Sequence, residues 1–211
     1  MILGVDELFR SLPLIAILRG VRPDEVVEIG EALAGAGFLA VEVPLNSPDP
    51  LVSIERLSRS LGERMLVGAG TVLRVEEVGR VAKAGARLVV SPNFDAAVVR
   101  ETKRLGGISC PGVATPSEGF AALASGADLL KLFPAEQLPP EVVKAWLAVF
   151  PGSARLVPVG GITAERMAPY LRAGAAGFGL GSALYRPGIG PAEVARRAAE
   201  LAASFRAANA G

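Results

Sequence analysis

Short apolar runs alternate with longer stretches in which apolar residues recur every three to four positions, and the alternation persists along the chain. The runs predict strands at 14–19, 40–45, 65–72, 87–92, 107–112, 128–134, 155–161 and 177–181. The periodic stretches predict helices at about 24–36, 50–61, 75–84, 95–105, 116–125, 140–150, 164–173 and 191–208, with a short extra helix near 4–11. Gly37, Gly62, Gly85, Gly106, Gly126, Gly152 and Gly174 fall at the helix-to-strand joints, where a left-handed residue ends a helix. Thr115-Pro116-Ser117-Glu118 reads as a capping box with proline at the first helical position, and Arg22-Pro23-Asp24-Glu25 as another helix start. Eight β-α units in series imply a parallel sheet with right-handed crossovers, and eight is the number that closes. The expected fold is therefore α/β: a (β/α)8 TIM barrel with a short N-terminal helix, residues 1–211 forming one domain. An open doubly wound sheet competes, but no G-x-G-x-x-G follows the first strand.

In a barrel of this kind the chemistry lies at the carboxyl ends of the strands. The run Asp128-Leu129-Leu130-Lys131-Leu132-Phe133-Pro134 puts a lysine in the middle of an apolar strand. Burial disfavours the charged amine, lowers its pKa and makes it nucleophilic near neutral pH, as Schiff-base chemistry requires. The chain holds four lysines against eighteen arginines, so a lysine kept in this strand stands out. The other reading is a buried stem whose ammonium reaches water. In Ala40-Val41-Glu42-Val43-Pro44-Leu45, strand alternation sets Glu42 inward with Ala40 and Pro44. Leu129, Lys131 and Phe133 share one face by the same rule. Glu42 and Lys131 thus form either a nucleophile with its proton-moving base or a structural ion pair.

The last two strands end in Pro158-Val159-Gly160-Gly161 and Gly177-Phe178-Gly179-Leu180-Gly181-Ser182. Bare backbone N–H groups beside helix N-termini cradle anions, and the loops after strands seven and eight are where barrels hold phosphate. Gly160, Gly161, Gly181 and Ser182 are the candidate phosphate contacts, although glycine also serves simply to turn a corner. Arg19 closes the first strand, either to hold a carboxylate or as a surface arginine. Thr71 ends the third and offers a hydroxyl at the same rim. Cys110 reads as a small core residue.

Composition removes several classes. Net charge is +1 with no basic block, which argues against nucleic acid. No uncharged stretch reaches the ~18 residues of a membrane helix, and Asp6 and Glu7 stand where a signal peptide is basic, so a soluble cytoplasmic protein is expected. One cysteine and no histidine exclude an internal disulfide, a cysteine-cluster metal site, a histidine triad and histidine-held zinc.

Taken in order, PLIAILRG (13–20), AVEVPLNSP (40–48), VGAGTVL (67–73), VVSPN (89–93), CPGVATPSE (110–118), LLKLFPA (129–135), PVGGI (158–162) and GLGSALYR (179–186) closely resemble the 2-keto-3-deoxy-6-phospho sugar-acid aldolases. The resemblance implies a metal-free class I aldolase, usually a homotrimer, that acts on a phosphorylated keto-deoxy sugar acid and yields pyruvate. It makes Lys131 the Schiff-base lysine and Glu42 the proton-transferring carboxylate. Arg19 and Thr71 surround the pyruvate end, Gly160, Gly161, Gly181 and Ser182 take the 6-phosphate, and Phe133 and Pro92 pack around the imine. The gluconate branch typically reads T-L-R-T after the glutamate and P-T-G-G before the seventh helix. Here Pro44-Leu45-Asn46-Ser47 and Pro158-Val159-Gly160-Gly161 resemble the galactonate branch, with Val159 in place of a threonine near the C4 hydroxyl. The expected reaction is cleavage of 2-dehydro-3-deoxy-6-phosphogalactonate to pyruvate and glyceraldehyde 3-phosphate. A gluconate-specific or dual-specificity enzyme is the alternative, and a non-catalytic phosphosugar-binding barrel is the alternative of another class.

Overall fold

The structure is a computed structural model that describes residues 4–210. It is an α/β fold of curled, parallel sheet alternating with helices. Helix α1 (Val5–Ser11) leads into β1 (Leu14–Ile17), α2 (Val26–Gly35), β2 (Ala40–Pro44), α3 (Pro50–Leu61), β3 (Leu66–Gly70) and α4 (Val75–Lys83). There follow β4 (Leu88–Val90), α5 (Ala96–Arg104), β5 (Ile108–Cys110), β6 (Gly112–Val113), α6 (Pro116–Ala124) and β7 (Leu130–Leu132). The chain ends with α7 (Pro140–Leu147), β8 (Leu156–Pro158), α8 (Ala164–Arg172), β9 (Phe178–Leu180) and α9 (Pro191–Asn209).

The pairing differs from the expected single run of eight strands. One sheet has the order β5-β4-β3-β2-β1-β9 and a second the order β6-β7-β8. The predicted fifth strand, 107–112, is divided at Pro111, which has no N–H to donate. Its first half pairs with β4 through Val90↔Cys110, and its second half with β7 through Gly112↔Lys131. The Pro111 carbonyl accepts from the Lys131 N–H at 2.9 Å, and the Ser109 carbonyl from those of Asp128 and Leu129. At the other seam Val159 bridges Gly179, and the Ala176 N–H reaches the Leu156 carbonyl at 2.9 Å.

Two apolar clusters sort the strand residues by parity. Ile15, Ile17, Ala40, Leu66, Leu88, Val90, Cys110, Leu129, Val157 and Val159 pack together inside the curl. Their neighbours, such as Leu14, Ala16, Val41, Val43, Val67 and Val89, pack outward against the helices. Leu8 of α1 is fully buried in the inner cluster, so the short first helix covers the amino ends of the strands. The capping box forms as read: the Thr115 hydroxyl accepts from the Glu118 N–H, and the Glu118 carboxylate from the Thr115 N–H at 2.9 Å. Gly62 and Gly152 depart from the expected role: neither has a positive φ, and the φ of −61° at Gly62 continues the right-handed turn.

Candidate active site

Glu42 has the parity of Ala40 and so belongs to the inner layer, level with Ile17 of β1 and Gly68 of β3. Lys131 shares its parity with Leu129 and stands level with Gly112 and Val157. Glu42 is 2% and Lys131 5% exposed. Among the described residues Glu42 Oε2 has no hydrogen-bond partner, so burial acts on the carboxylate with little relief. Burial raises its pKa from 4.5 to about 7 against the opposing pull of Lys131 and Arg19. Burial likewise lowers the pKa of Lys131, with Glu42 acting in the opposite direction. The Lys131 Nζ lies 4.6 Å from the centre of the Phe133 ring, whose face favours the charged amine. A carboxylate near 7 beside a depressed lysine can exchange protons at neutral pH, which a solvated pair cannot. Burial pushes the neighbouring Cys110 thiol up to about 12, so it stays neutral.

Room for Glu42 is made by β3. A Cβ on Gly70 would lie within 1.9 Å of Glu42 Oε2, so any side chain there would evict the carboxylate. The next residue, Thr71, has φ +57°. A β-branched residue in the left-handed region is strained, by roughly 1–3 kcal/mol, and such strain gathers at functional sites. Nothing in the sequence signals it, because threonine is a poor choice for that conformation.

Above this pair, toward the strands' carboxyl ends, opens a cavity of about 450 Å³. Its walls include Arg19, Phe133, Val159, Gly160, Gly161, Gly181 and Ser182. Seven residues chosen from the sequence thus meet in one space. Lys131 and Glu42 lie outside its walls, buried beneath it, as do Thr71 and Pro92, which follow β3 and β4 at the strand ends. Arg19 Nη1 donates to Asn46 Oδ1 at 2.7 Å, and the Gly20 N–H to Ser47 Oγ at 2.9 Å, so the loop after β2 fixes the loop after β1.

The glycine cradle is built unevenly. Gly160 and Gly161 have φ of +110° and +59°, and a Cβ on either would run into the Glu136 carboxylate. A Cβ on Gly181 would meet nothing within 4 Å, so packing within the chain does not demand glycine there. α8 begins three residues after Gly161, as a helix-end anion site requires. After β9 a single turn, with Leu184 and Tyr185 donating to the Gly181 carbonyl, precedes the last helix, which begins at Pro191 as expected. Pro187, Gly188 and Gly190 then delay α9 to Pro191. Sequence reasoning missed Glu136, Tyr185 and Pro187, which also line the cavity. Glu136 and Pro187 adjoin the recognised runs 129–135 and 179–186, and Tyr185 lies within the second, so those runs were the available signal. The loop carrying Glu136 is held by the buried Tyr170 hydroxyl, 2.8 Å from the Ala135 carbonyl and 2.9 Å from that of Leu138.

Residues 5–196 match the family described as "Aldolase: KDPG and KHG aldolase". A probable 2-dehydro-3-deoxy-6-phosphogalactonate aldolase of Rhizobium meliloti (strain 1021) is 46% identical over 94% of both chains. The 2-dehydro-3-deoxy-6-phosphogalactonate aldolase of Escherichia coli (strain K12) is 45% identical over 94% of this chain and 97% of its own. Among solved structures, one titled "Native KDPGal structure" superposes with TM-score 0.92 at 45% identity, over 93% of this chain and 96% of that one. The KDPG aldolase from Legionella pneumophila, solved "with pyruvate captured at low pH as a covalent carbinolamine intermediate", has TM-score 0.80 and 27% identity over 95% and 96%.

Proposed function

The chain belongs to the KDPG and KHG aldolase family, and from that premise we infer that it is a lyase cleaving 2-dehydro-3-deoxy-6-phosphogalactonate to pyruvate and glyceraldehyde 3-phosphate. The observation that carries the reading is the Lys131–Glu42 pair: an amine and a carboxylate, both buried, with Glu42 Oε2 left without a partner. Such a pair is ill-suited to stability alone and well suited to moving protons.

The neutral Lys131 amine attacks the C2 ketone and water leaves, giving an imine whose protonated form accepts electrons. Glu42 takes the C4 hydroxyl proton, the C3–C4 bond breaks, and glyceraldehyde 3-phosphate departs from an enamine of pyruvate. Glu42 returns the proton to C3, and water releases pyruvate and frees Lys131. Arg19 and Thr71 hold the carboxylate end, while Phe133 and Pro92 pack about the imine. Gly160, Gly161, Gly181 and Ser182 receive the 6-phosphate, a reading supported by a glycine at 181 that packing within the chain does not require. Val159, 7% exposed and in the cavity wall, supports the galactonate epimer, since it offers no hydroxyl to the C4 oxygen.

β5 and β6, counted as one strand kinked at Pro111, together with the two seams, support a (β/α)8 TIM barrel of one domain spanning residues 1–211. Among the described residues no helix is long and apolar enough to cross a membrane. A homotrimer in the cytoplasm, working without a cofactor, is the form that the resemblance supports.

Borohydride reduction in the presence of pyruvate tests the reading directly. One adduct is expected, on Lys131, and Lys131→Arg should lose both the adduct and turnover, because arginine does not release its proton. Labelling at another residue, or none in the folded protein, would remove Lys131 from the mechanism.

A further inference from the structure

The left-handed conformation of Thr71 is unfavourable for a threonine, so something must hold it there. Both peptide planes that flank Thr71 are held by neighbouring strands. Upstream, the Gly70 carbonyl accepts from the Leu45 N–H at 2.8 Å, which fixes the plane that sets φ. Downstream, the Val72 N–H donates to the Val90 carbonyl at 3.2 Å, which fixes the plane that sets ψ. The Val72 carbonyl is then taken by the Ser91 hydroxyl at 2.6 Å. Ser91 is 4% exposed, and its own N–H reaches the Cys110 carbonyl at 3.3 Å, so it is anchored from β5. Val72 is therefore gripped through both its backbone groups by two consecutive residues at the end of β4.

We propose that Ser91 is a positioning residue for the pyruvate end of the site: its hydroxyl grips the Val72 carbonyl and so keeps Thr71 in the left-handed conformation. This rests on the reading of Thr71 as a contact to the substrate carboxylate. Among the bonds that hold this turn, that of Ser91 comes from a side chain, so it can be deleted without changing the backbone. Without it, the downstream side of the turn is held only by the 3.2 Å Val72–Val90 bond, so the strained residue is held less firmly and its hydroxyl spends less time in the position the substrate needs.

The test is a double-substitution cycle of Ser91→Ala and Thr71→Ala in the full-length enzyme. The readouts are the pyruvate concentration for half-maximal borohydride trapping, KM and kcat for cleavage, and Tm. Ser91→Ala is expected to raise the pyruvate requirement by about tenfold, the size of one lost hydrogen bond, with KM moving more than kcat. Ser91→Thr, which keeps the hydroxyl, should restore it. Ser91→Cys, close in volume and a weak donor, provides the same reading if the alanine variant fails to fold. In the Thr71→Ala background, Ser91→Ala should add less than about twofold. Independent multiplication of the two effects, or a lower Tm with pyruvate trapping unchanged, overturns the proposal. Thr71→Ala with unchanged pyruvate trapping would instead remove Thr71 from the site, defeating the proposal at its premise rather than at Ser91.

Discussion

The two ends of the strands treat their charges in opposite ways. At the amino ends, the Asp128 carboxylate accepts from Lys103 Nζ at 2.7 Å through both oxygens and from the Ser109 N–H at 2.8 Å. Lys103 also reaches the Gly107 carbonyl at 3.1 Å. Arg155 pairs with Asp6 at 2.6 Å and lies over the Phe9 ring, which fastens α1 beneath the sheet. Every one of these polar groups has a partner. Toward the carboxyl ends, Glu42 is buried with one oxygen unpaired, Lys131 is depressed by burial, and Thr71 is held in a strained conformation. One end spends its charges on cohesion; the other holds charges and strain that a reaction can use.

The largest expected effect sharpens this contrast at its reactive end. Glu42→Gln keeps the shape and loses the proton acceptor, so cleavage should slow by ~10²–10⁴-fold, read as kcat with the 6-phospho substrate, while borohydride trapping persists in part. Stability should move the other way. The folded pKa of Glu42 is raised from 4.5 to about 7, so its favourable contribution is complete below 4.5 and is lost as pH rises through about 7. The glutamine variant should therefore gain Tm over the native chain at pH 8, and gain less at pH 5. Equal gains at both pH values would mean that the carboxylate is not desolvated as described. The same linkage implies that turnover rises with pH through about 7 as Glu42 loses its proton.

A smaller effect concerns substrate choice within that end. Val159→Thr restores a hydroxyl where the galactonate reading requires none, so the ratio of kcat/KM values for the two C4 epimers should shift toward the gluconate substrate by about tenfold. A native preference for the gluconate substrate of that size would overturn the epimer assignment and leave the lyase chemistry standing. The smallest effect on catalysis belongs to the amino end. Lys103→Met strips Asp128 of its cation and should lower unfolding free energy by about 1–2 kcal/mol, both groups being partly exposed, while kcat/KM stays within about twofold. A large loss of activity without loss of stability would break the division between the two ends.

Part of this division was legible in the chain. A strand alternates its side chains with a period of two, so Ala40-Val41-Glu42 and Leu129-Leu130-Lys131 already state that Glu42 and Lys131 share a face with the inner apolar residues. Glycine pairs after the seventh and eighth predicted strands likewise marked Gly160, Gly161 and Gly181, because a bare backbone is visible as composition. Pro111 was not used in the same way: the fifth strand was expected unbroken over 107–112, and the missing N–H of Pro111 divides it between two sheets. The last helix, expected at 191–208, starts at Pro191, but the single turn that Leu184 and Tyr185 form on the Gly181 carbonyl before it was not legible, since packing settles it.

Local pattern by itself determined the order of elements, the sidedness of each strand and the chemistry available to the inner face. Tertiary structure alone decided which of those groups lack partners and which residues are strained. Thr71 is left-handed because β2 and β4 grip the peptides on either side of it, and Leu45, Val90 and Ser91 are 19 to 26 residues away in sequence. Glu42 is desolvated because Gly70, on the adjacent strand, brings bare backbone against its carboxylate. Periodicity reports which way a side chain faces; what it meets there depends on the register and closure of distant segments, which no local run of residues specifies.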